Sequence, residues 1–160
     1  MNKSPLSKQF PIHCADVYLW QQNLSSQPFS SADWKMLGQF QRTYRWNVDL
    51  ASLLDQSYEA LVLTDPQQSI QWVSEGFITM TGYSPQSVIH RKPRILQGKA
   101  TSNESKTRIR TKLKVAEPFQ EVIVNYRRSG EPYRCHLSIF PMKDSDGALQ
   151  HFLALEKEVA

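Results

Sequence analysis

The chain has 160 residues, of which 40% are hydrophobic and 21% are charged, and its formal net charge is +4. This balance indicates a globular fold rather than disorder. The mildly basic charge permits anionic partners without identifying one. No apolar run approaches the roughly 18 residues of a membrane-spanning helix, and the N-terminus lacks the apolar core of a signal peptide. We therefore expect a cytoplasmic protein with no membrane partner.

The cysteines predict neither a disulfide nor a metal centre. There are two, Cys14 near the N-terminus and Cys135 in a predicted strand. A structural disulfide is not expected, because it would not persist in the cytosol. The chain has no CxxC motif and no closely paired cysteine and histidine, so a zinc site is not predicted.

Residues 1–57 are predicted to form an N-terminal helical extension. Apolar spacing indicates a modest helix at 12–24, and Pro28 then breaks the chain. A second helix runs from Trp34 to Tyr44 with Ser31 as its expected N-cap, and a third lies at 47–58. These helices carry too much apolar surface to stay in water. They must pack on the following domain, on each other, or on a second copy of the chain.

Residues 58–160 are predicted to form one α+β domain, with a boundary near 55–59. The expected order is a hairpin of strands at 60–65 and 69–73, helices at 74–81, from Ser84 and at 103–115, and strands at 119–128, 132–140 and 149–158. In the long helix, Ile109 and Leu113 form a narrow apolar stripe that we expect to be buried. The order predicts a five-stranded antiparallel sheet with short helices on one face.

Four segments of this domain resemble the PAS family: ALVLTDP, SEGFITMTGYSPQSVI, RILQG and VNYRRSGEPYRCHLSIFPMKDSDGALQHFLAL. RILQG and VNYRRSG are most similar to LOV domains, the flavin-binding subgroup. The resemblance implies a PAS fold and a sensory, non-catalytic module. It covers roughly 58 to 158 of the chain.

The resemblance breaks at the residue on which LOV photochemistry depends. Pro93 stands where the LOV pattern has its photoactive cysteine, and Lys92 replaces an asparagine that contacts the flavin side chain. The resemblance therefore implies that a light-driven thiol–flavin adduct does not form at position 93.

Other pocket positions match the LOV pattern in part. The resemblance implies that Arg94 and Arg110 hold a flavin phosphate, that Gln97 contacts the ribityl chain, that Thr64 lies in the pocket and that Asn125 faces the ring. Cys135 replaces a second ring-facing asparagine, and Glu156 replaces a glutamine. An amide both donates and accepts hydrogen bonds, whereas an ionised carboxylate only accepts.

Period-two alternation gives an independent argument for which residues share a face. If Asn125, Cys135 and Glu156 point inward, their neighbours two residues apart do so too. Those neighbours are Phe119, Ile123, Leu137, Ile139, Phe152 and Ala154. The result is an apolar concavity with a few polar groups, which is typical of ligand pockets. A buried Glu156 needs a partner, for which Lys92 is a candidate.

Each of these residues also has a simpler interpretation. Arg94 and Arg110 would be solvated charges, Asn125 would satisfy nearby backbone, Cys135 would be a small core residue, and Glu156 would be structural. The basic face at 99–114 lacks interleaved aromatic residues, so a nucleic-acid partner is not favoured. Haem is disfavoured because none of the four histidines lies on the 103–115 helix.

Two functions from different classes remain open. The first is a signal-sensing or protein-interaction PAS module that is not an enzyme and acts by ligand- or partner-dependent rearrangement of its flanking helices. It would form a homodimer through the N-terminal helices or the sheet face, or bind a signalling partner. The second is a light or redox sensor that binds FMN or FAD without forming the cysteinyl adduct.

Overall fold

The computed structural model describes residues 30–160 of the chain. The helix predicted at 12–24, the break at Pro28 and Cys14 lie outside the described residues. Within the described part of the chain, no helix is long and apolar enough to cross a membrane.

The described elements follow the predicted order. They are α1 (Ser31–Tyr44), α2 (Leu50–Leu54), β1 (Ala60–Thr64), β2 (Ile70–Val73), α3 (Glu75–Thr81), α4 (Pro85–Val88), a 3₁₀ helix (Pro93–Leu96), α5 (Asn103–Val115), β3 (Phe119–Tyr126), β4 (Pro132–Lys143) and β5 (Leu149–Val159). Strand β4 runs three residues beyond the predicted end at 140, because β5 continues to pair with it as far as Lys143.

The strands form an antiparallel sheet that has five members in the described residues, in the order β2-β1-β5-β4-β3. The predicted α+β class and the sheet are confirmed. Strand β5, the last in the sequence, lies at the centre and pairs with both β1 and β4. Its side chains alternate between the two faces of the sheet, so β5 contacts the groups that pack on each face.

The N-terminal helices differ from prediction at their boundaries. The side chain of Ser30, not of Ser31, caps α1 by accepting a hydrogen bond from the Asp33 amide. Helix α2 begins at Leu50, later than the predicted 47. The amide of Asn47 donates to the Lys143 carbonyl at the end of β4, which holds this part of the chain extended. Asp49 then caps α2.

Helices α1 and α2 cover the outer face of the sheet, which we define as the face bearing Leu153 and Leu155 of β5. Of the three packing alternatives, the structure shows packing on the domain itself. The residues of this outer cluster are buried: Leu37, Trp46, Leu50, Leu54, Tyr58, Leu61, Leu63, Met142, Leu153 and Leu155. Burial of that much apolar surface is what fixes the helices on the sheet.

The remaining helices lie on the opposite, inner face. Ser74 caps α3, and Gly82 ends it in the left-handed conformation (φ 75°), one residue after the predicted end at 81. Helix α3 lies very close to β1 at Gly76, where an added Cβ would be 1.9 Å from the carbonyl oxygen of Glu59. A side chain at position 76 would therefore push α3 away from the sheet.

This close approach predicts opposite results for the same substitution at two helical glycines. Gly76→Ala should lower the free energy of unfolding by about 2 kcal/mol or more, because backbone must move to admit the methyl group. Gly38→Ala in α1 should raise it by roughly 0.5–1 kcal/mol, because alanine is the better helix former and its Cβ would meet nothing closer than 3.7 Å. Urea unfolding of both variants tests this, and two effects of the same sign would contradict it.

Candidate functional site

A cavity of about 140 Å³ lies on the inner face of the sheet, beneath the 3₁₀ helix and α5. All three of the last strands contribute to its wall, together with β1. The lining residues are Val62, Thr64, Gln68, Lys92, Pro93, Arg94, Leu96, Gln97, Ile109, Leu113, Ile123, Asn125, Leu137, Ile139, Phe152, Ala154 and Glu156.

Most of the residues predicted to form a site meet at this cavity. Those that line it are Thr64, Arg94, Gln97, Asn125 and Glu156. The other two do not line it. Arg110 is exposed on α5, and Cys135 is fully buried in the inner core. The structure therefore gathers residues that are up to 92 positions apart in the sequence.

The alternation argument holds on each strand of the wall. Ile123 with Asn125 on β3, Leu137 with Ile139 on β4, and Phe152, Ala154 and Glu156 on β5 all face the cavity. Phe119 does not line it but packs against the same inner core, as does Cys135. The apolar concavity with a few polar groups is thus present as predicted.

Two polar side chains in the wall, Thr64 and Gln97, have no hydrogen-bond partner among residues 30–160, and a third, Asn125, interacts with the Tyr133 hydroxyl group. Thr64 and Asn125 are 7% and 5% exposed. Neither satisfies neighbouring backbone, which was the simpler interpretation of Asn125. Buried polar groups are normally paired, so unused donors and acceptors that converge on one cavity are suited to a polar ligand.

Glu156 is the most deeply buried ionisable group in the wall, with 4% of its surface exposed. Burial raises the pKa of its carboxyl group to about 7, and the Cys135 thiol, whose sulfur is 3.9 Å from Oε2, opposes this shift weakly. The expected pairing with Lys92 is wrong. Lys92 is exposed and forms no ion pair with Glu156 or any other described residue.

Cys135 is a core residue rather than a reactive thiol. Burial, and next to it the Glu156 carboxylate, raise the pKa of the thiol far above its usual range. On the same face of β4, Tyr133 is buried, its hydroxyl group interacts with the Asn125 side chain, and the Arg127 guanidinium lies 4.6 Å from its ring centroid. The region behind Glu156 is therefore polar but closed to solvent.

The opposite side of the cavity is basic and open. Lys92 and Arg94 are exposed where they line it, and neither forms an ion pair with a described residue. Pro93 begins the 3₁₀ helix and also lines the cavity. The wall formed by residues 30–160 thus contains a pyrrolidine ring at this position and no thiol.

Some lining residues were not predicted. Gln68 reaches the cavity from the turn between β1 and β2, where its backbone is left-handed with φ 66°. The hairpin predicted from the strands at 60–65 and 69–73 implied a turn here, but it did not indicate where the side chains of the turn point. Ile109 and Leu113 were expected to be buried, but they are only partly buried, because one side of each faces the cavity.

The sheet, the inner helices and the cavity define a sensory type of α+β domain. Comparison with known families agrees, because residues 59–159 match the PAS domain model. The chain belongs to the PAS domain family, and its homologues include LOV domains. PAS and LOV domains are signal-sensing modules.

Individual relatives support the LOV-like character. Phototropin-2 of Oryza sativa subsp. japonica is 37% identical over 112 residues, which are 70% of this chain but only 12% of that protein. The dark structure of the LOV domain of the blue-light photoreceptor Aureochrome1 superposes with a TM-score of 0.66 at 26% identity, covering 71% of this chain and 85% of that one. A Light-Oxygen-Voltage domain studied with a flavin analogue gives 0.64 at 29% identity, covering 71% and 87%.

The burial of Glu156 predicts a pH dependence of stability. Its pKa is about 7 in the folded protein and near 4.5 when unfolded, so the folded state keeps a proton that the unfolded state loses. The free energy of unfolding therefore falls as the pH rises from about 4.5 to 7, by about 2–3 kcal/mol. His151 acts in the opposite sense, because burial lowers its pKa to about 4 and stability is lost as the pH falls from 6.5.

A Glu156→Gln variant separates the effect of Glu156 on stability from that of His151, since His151 is present in both the variant and the natural chain. The free energy of unfolding of both proteins is measured with urea at pH 5 and pH 7.5. The value for the natural chain minus that for the variant should be about 2–3 kcal/mol smaller at pH 7.5 than at pH 5. A difference that is the same at both pH values would show that Glu156 does not titrate in this range.

Proposed function

We propose that this chain is a non-catalytic sensory module in which occupancy of the inner cavity alters the packing of α1 and α2 on the outer face of the sheet. The observation that carries the proposal is the position of β5. Phe152, Ala154 and Glu156 line the cavity, while the residues between them, Leu153 and Leu155, are buried in the outer cluster. A single strand thus separates the ligand site from the helices.

The outer side of β5 is joined to the helical extension by directional contacts as well as apolar packing. His151 accepts a hydrogen bond at Nδ1 from the Trp46 indole nitrogen, at 3.2 Å. The rings of Phe40, Tyr44 and Trp46 meet the His151 ring edge to face, with centroids 5.6, 4.4 and 5.3 Å away. These contacts depend on ring position. A small shift of β5 therefore changes the free energy of helix packing.

Close packing explains why the shift would be transmitted. Protein interiors deform little, so a change of volume on one side of a strand is passed to the groups on the other side. A signal then needs only two arrangements of the helices whose free energies differ between the filled and the empty cavity. Any signalling partner would bind the exposed side of α1 and α2 and respond to their arrangement.

Homodimer formation through the N-terminal helices is also part of the proposal. Contact through the outer sheet face itself would require α1 and α2 to leave it, because they cover it in the monomer. Light scattering on the purified chain at high concentration tests dimer formation, and a strictly monomeric protein would contradict it.

Filling the cavity by substitution tests the transmission without a ligand. Ala154→Met adds a flexible side chain to the cavity wall between its strand partners Val62 and Ile139. The added volume should displace β5 outward and loosen the helices. Hydrogen exchange should then be about tenfold faster in the amides of α1 and α2, which corresponds to ~1.4 kcal/mol.

Ala148→Met is the matched control, because Ala148 is exposed in the β4–β5 turn. It makes the same change of residue outside the cavity, and exchange in α1 and α2 should match that of the natural chain. If Ala154→Met leaves these amides as protected as the control does, the proposed coupling is wrong.

A flavin-binding sensor is the second candidate function. Gln97 and Thr64 offer unpaired polar groups in the cavity, beside the Asn125 amide. The exposed cations Lys92 and Arg94, with Arg110 on α5, suit a phosphate outside it. Bound flavin would supply light absorption and electron transfer. The cavity of about 140 Å³ is smaller than the roughly 300–1,000 Å³ of pockets for larger ligands, so its wall would have to widen.

An absorption spectrum of the purified protein decides between a flavoprotein and a colourless sensor. If flavin is bound, we expect a yellow protein whose light-minus-dark spectrum lacks the thiol adduct, because Pro93 lines the cavity where the thiol would be needed. A colourless protein that ignores added FMN excludes the flavin candidate and leaves the coupling through β5 intact. An adduct spectrum would contradict the role given to Pro93.

A further inference from the structure

The chemistry of the cavity wall also indicates which ligand it would select. This inference rests on the proposed ligand site and concerns its specificity. Glu156 presents a carboxylate to an otherwise mostly apolar cavity, with one weak partner in the described residues, the Cys135 thiol. A carboxylate without a cation is costly to keep ionised in such a place.

We propose that Glu156 is the specificity-determining residue of the cavity, and that it selects a small aromatic ligand whose cationic N–H group binds the carboxylate. The apolar side chains of Leu137, Ile139 and Phe152 would contact the ring. An apolar cavity of roughly 150 Å³ is large enough for benzene, and this cavity of about 140 Å³ is of similar size. A single aromatic ring with one charged group therefore fits its volume.

The charged groups of the chain do not supply this cation. Lys92 and Arg94 line the cavity from the opposite, exposed side, and no cation among residues 30–160 lies within 4.0 Å of the Glu156 carboxylate. On the strands beside Glu156, the titratable neighbours are Cys135 and Tyr133 on β4 and Glu59 next to β1. All three are acids, so none neutralises the carboxylate.

Proton release distinguishes this proposal from binding of an aromatic ligand by apolar contact alone. When Glu156 is protonated, a cationic ligand must displace the carboxyl proton, which leaves to solvent. When Glu156 is ionised, the ligand binds without that cost. Affinity for a cation should therefore increase as the pH rises through the titration of Glu156, while affinity for a neutral analogue should not.

Three benzene derivatives of similar shape test the proposal: benzamidine, which is a cation; benzamide, which is neutral; and benzoate, which is an anion. Their dissociation constants are measured by NMR titration at pH 8 and pH 5.5. At pH 8 we expect benzamidine to bind at least about tenfold more tightly than benzamide, the difference expected for a charge-assisted hydrogen bond. Benzoate should bind most weakly, and the preference for benzamidine should shrink at pH 5.5.

Two variants complete the experiment. Glu156→Gln keeps the shape of the side chain and should remove the preference for benzamidine. Glu131→Gln makes the same change of net charge at an exposed side chain, 67% accessible, and should retain it. The proposal is overturned if benzamidine has no advantage over benzamide, if the advantage survives Glu156→Gln, or if none of the three compounds binds. Hydrogen exchange in Ala154→Met is measured without a ligand. It therefore tests the proposed coupling between the cavity and the helices independently of this proposal on ligand specificity.

Discussion

Strand β5 is the constraint on which the rest of the molecule depends, because both of its faces are covered over residues 151–156. A strand in a small antiparallel sheet usually has one face in water. Here the inner face borders the cavity, and the outer face lies under α1 and α2. The strand is also hydrogen-bonded on both edges, to β1 and β4. It therefore cannot move without disturbing the ligand wall, the helices or the sheet.

This placement explains why one strand carries groups of opposite titration behaviour. Glu156 and His151 are both removed from water, and burial favours the neutral form of each, so the pKa of the acid rises to about 7 and that of the base falls to about 4. His151 has a neutral partner in the Trp46 indole. Glu156 has only a thiol at 3.9 Å among the described residues, and the rest of its hydrogen-bonding capacity is turned toward the cavity.

Much of the fold and of the cavity wall could be predicted from the sequence. Alternation placed Ile123, Leu137 and Ala154 on the same face as Asn125, Cys135 and Glu156 of their own strands, because side chains on a strand alternate strictly. The β-rich runs predicted most strand boundaries to within a few residues. The resemblance to LOV domains then identified which inward positions carry polar groups.

What the sequence could not provide were relations that depend on three-dimensional placement. The start of α2 was misplaced because Asn47 bonds to Lys143, almost one hundred positions away. Lys92 was suggested as the partner of Glu156 on complementary charge alone, but the two form no ion pair, and burial raises the pKa of the acid. Packing of the N-terminal helices on the outer face of the sheet was one of three alternatives. The apolar surface of a helix does not specify what it packs against.

A double-mutant cycle between Ala154→Met and Trp46→Phe tests most directly whether the cavity and the helical extension are coupled through β5. The two side chains lie on opposite faces of the sheet and share no cluster. Free energies of unfolding for the natural chain, both single variants and the double variant give the coupling energy. The proposed coupling requires at least about 0.5 kcal/mol, whereas additivity within about 0.3 kcal/mol would show that the two faces respond independently.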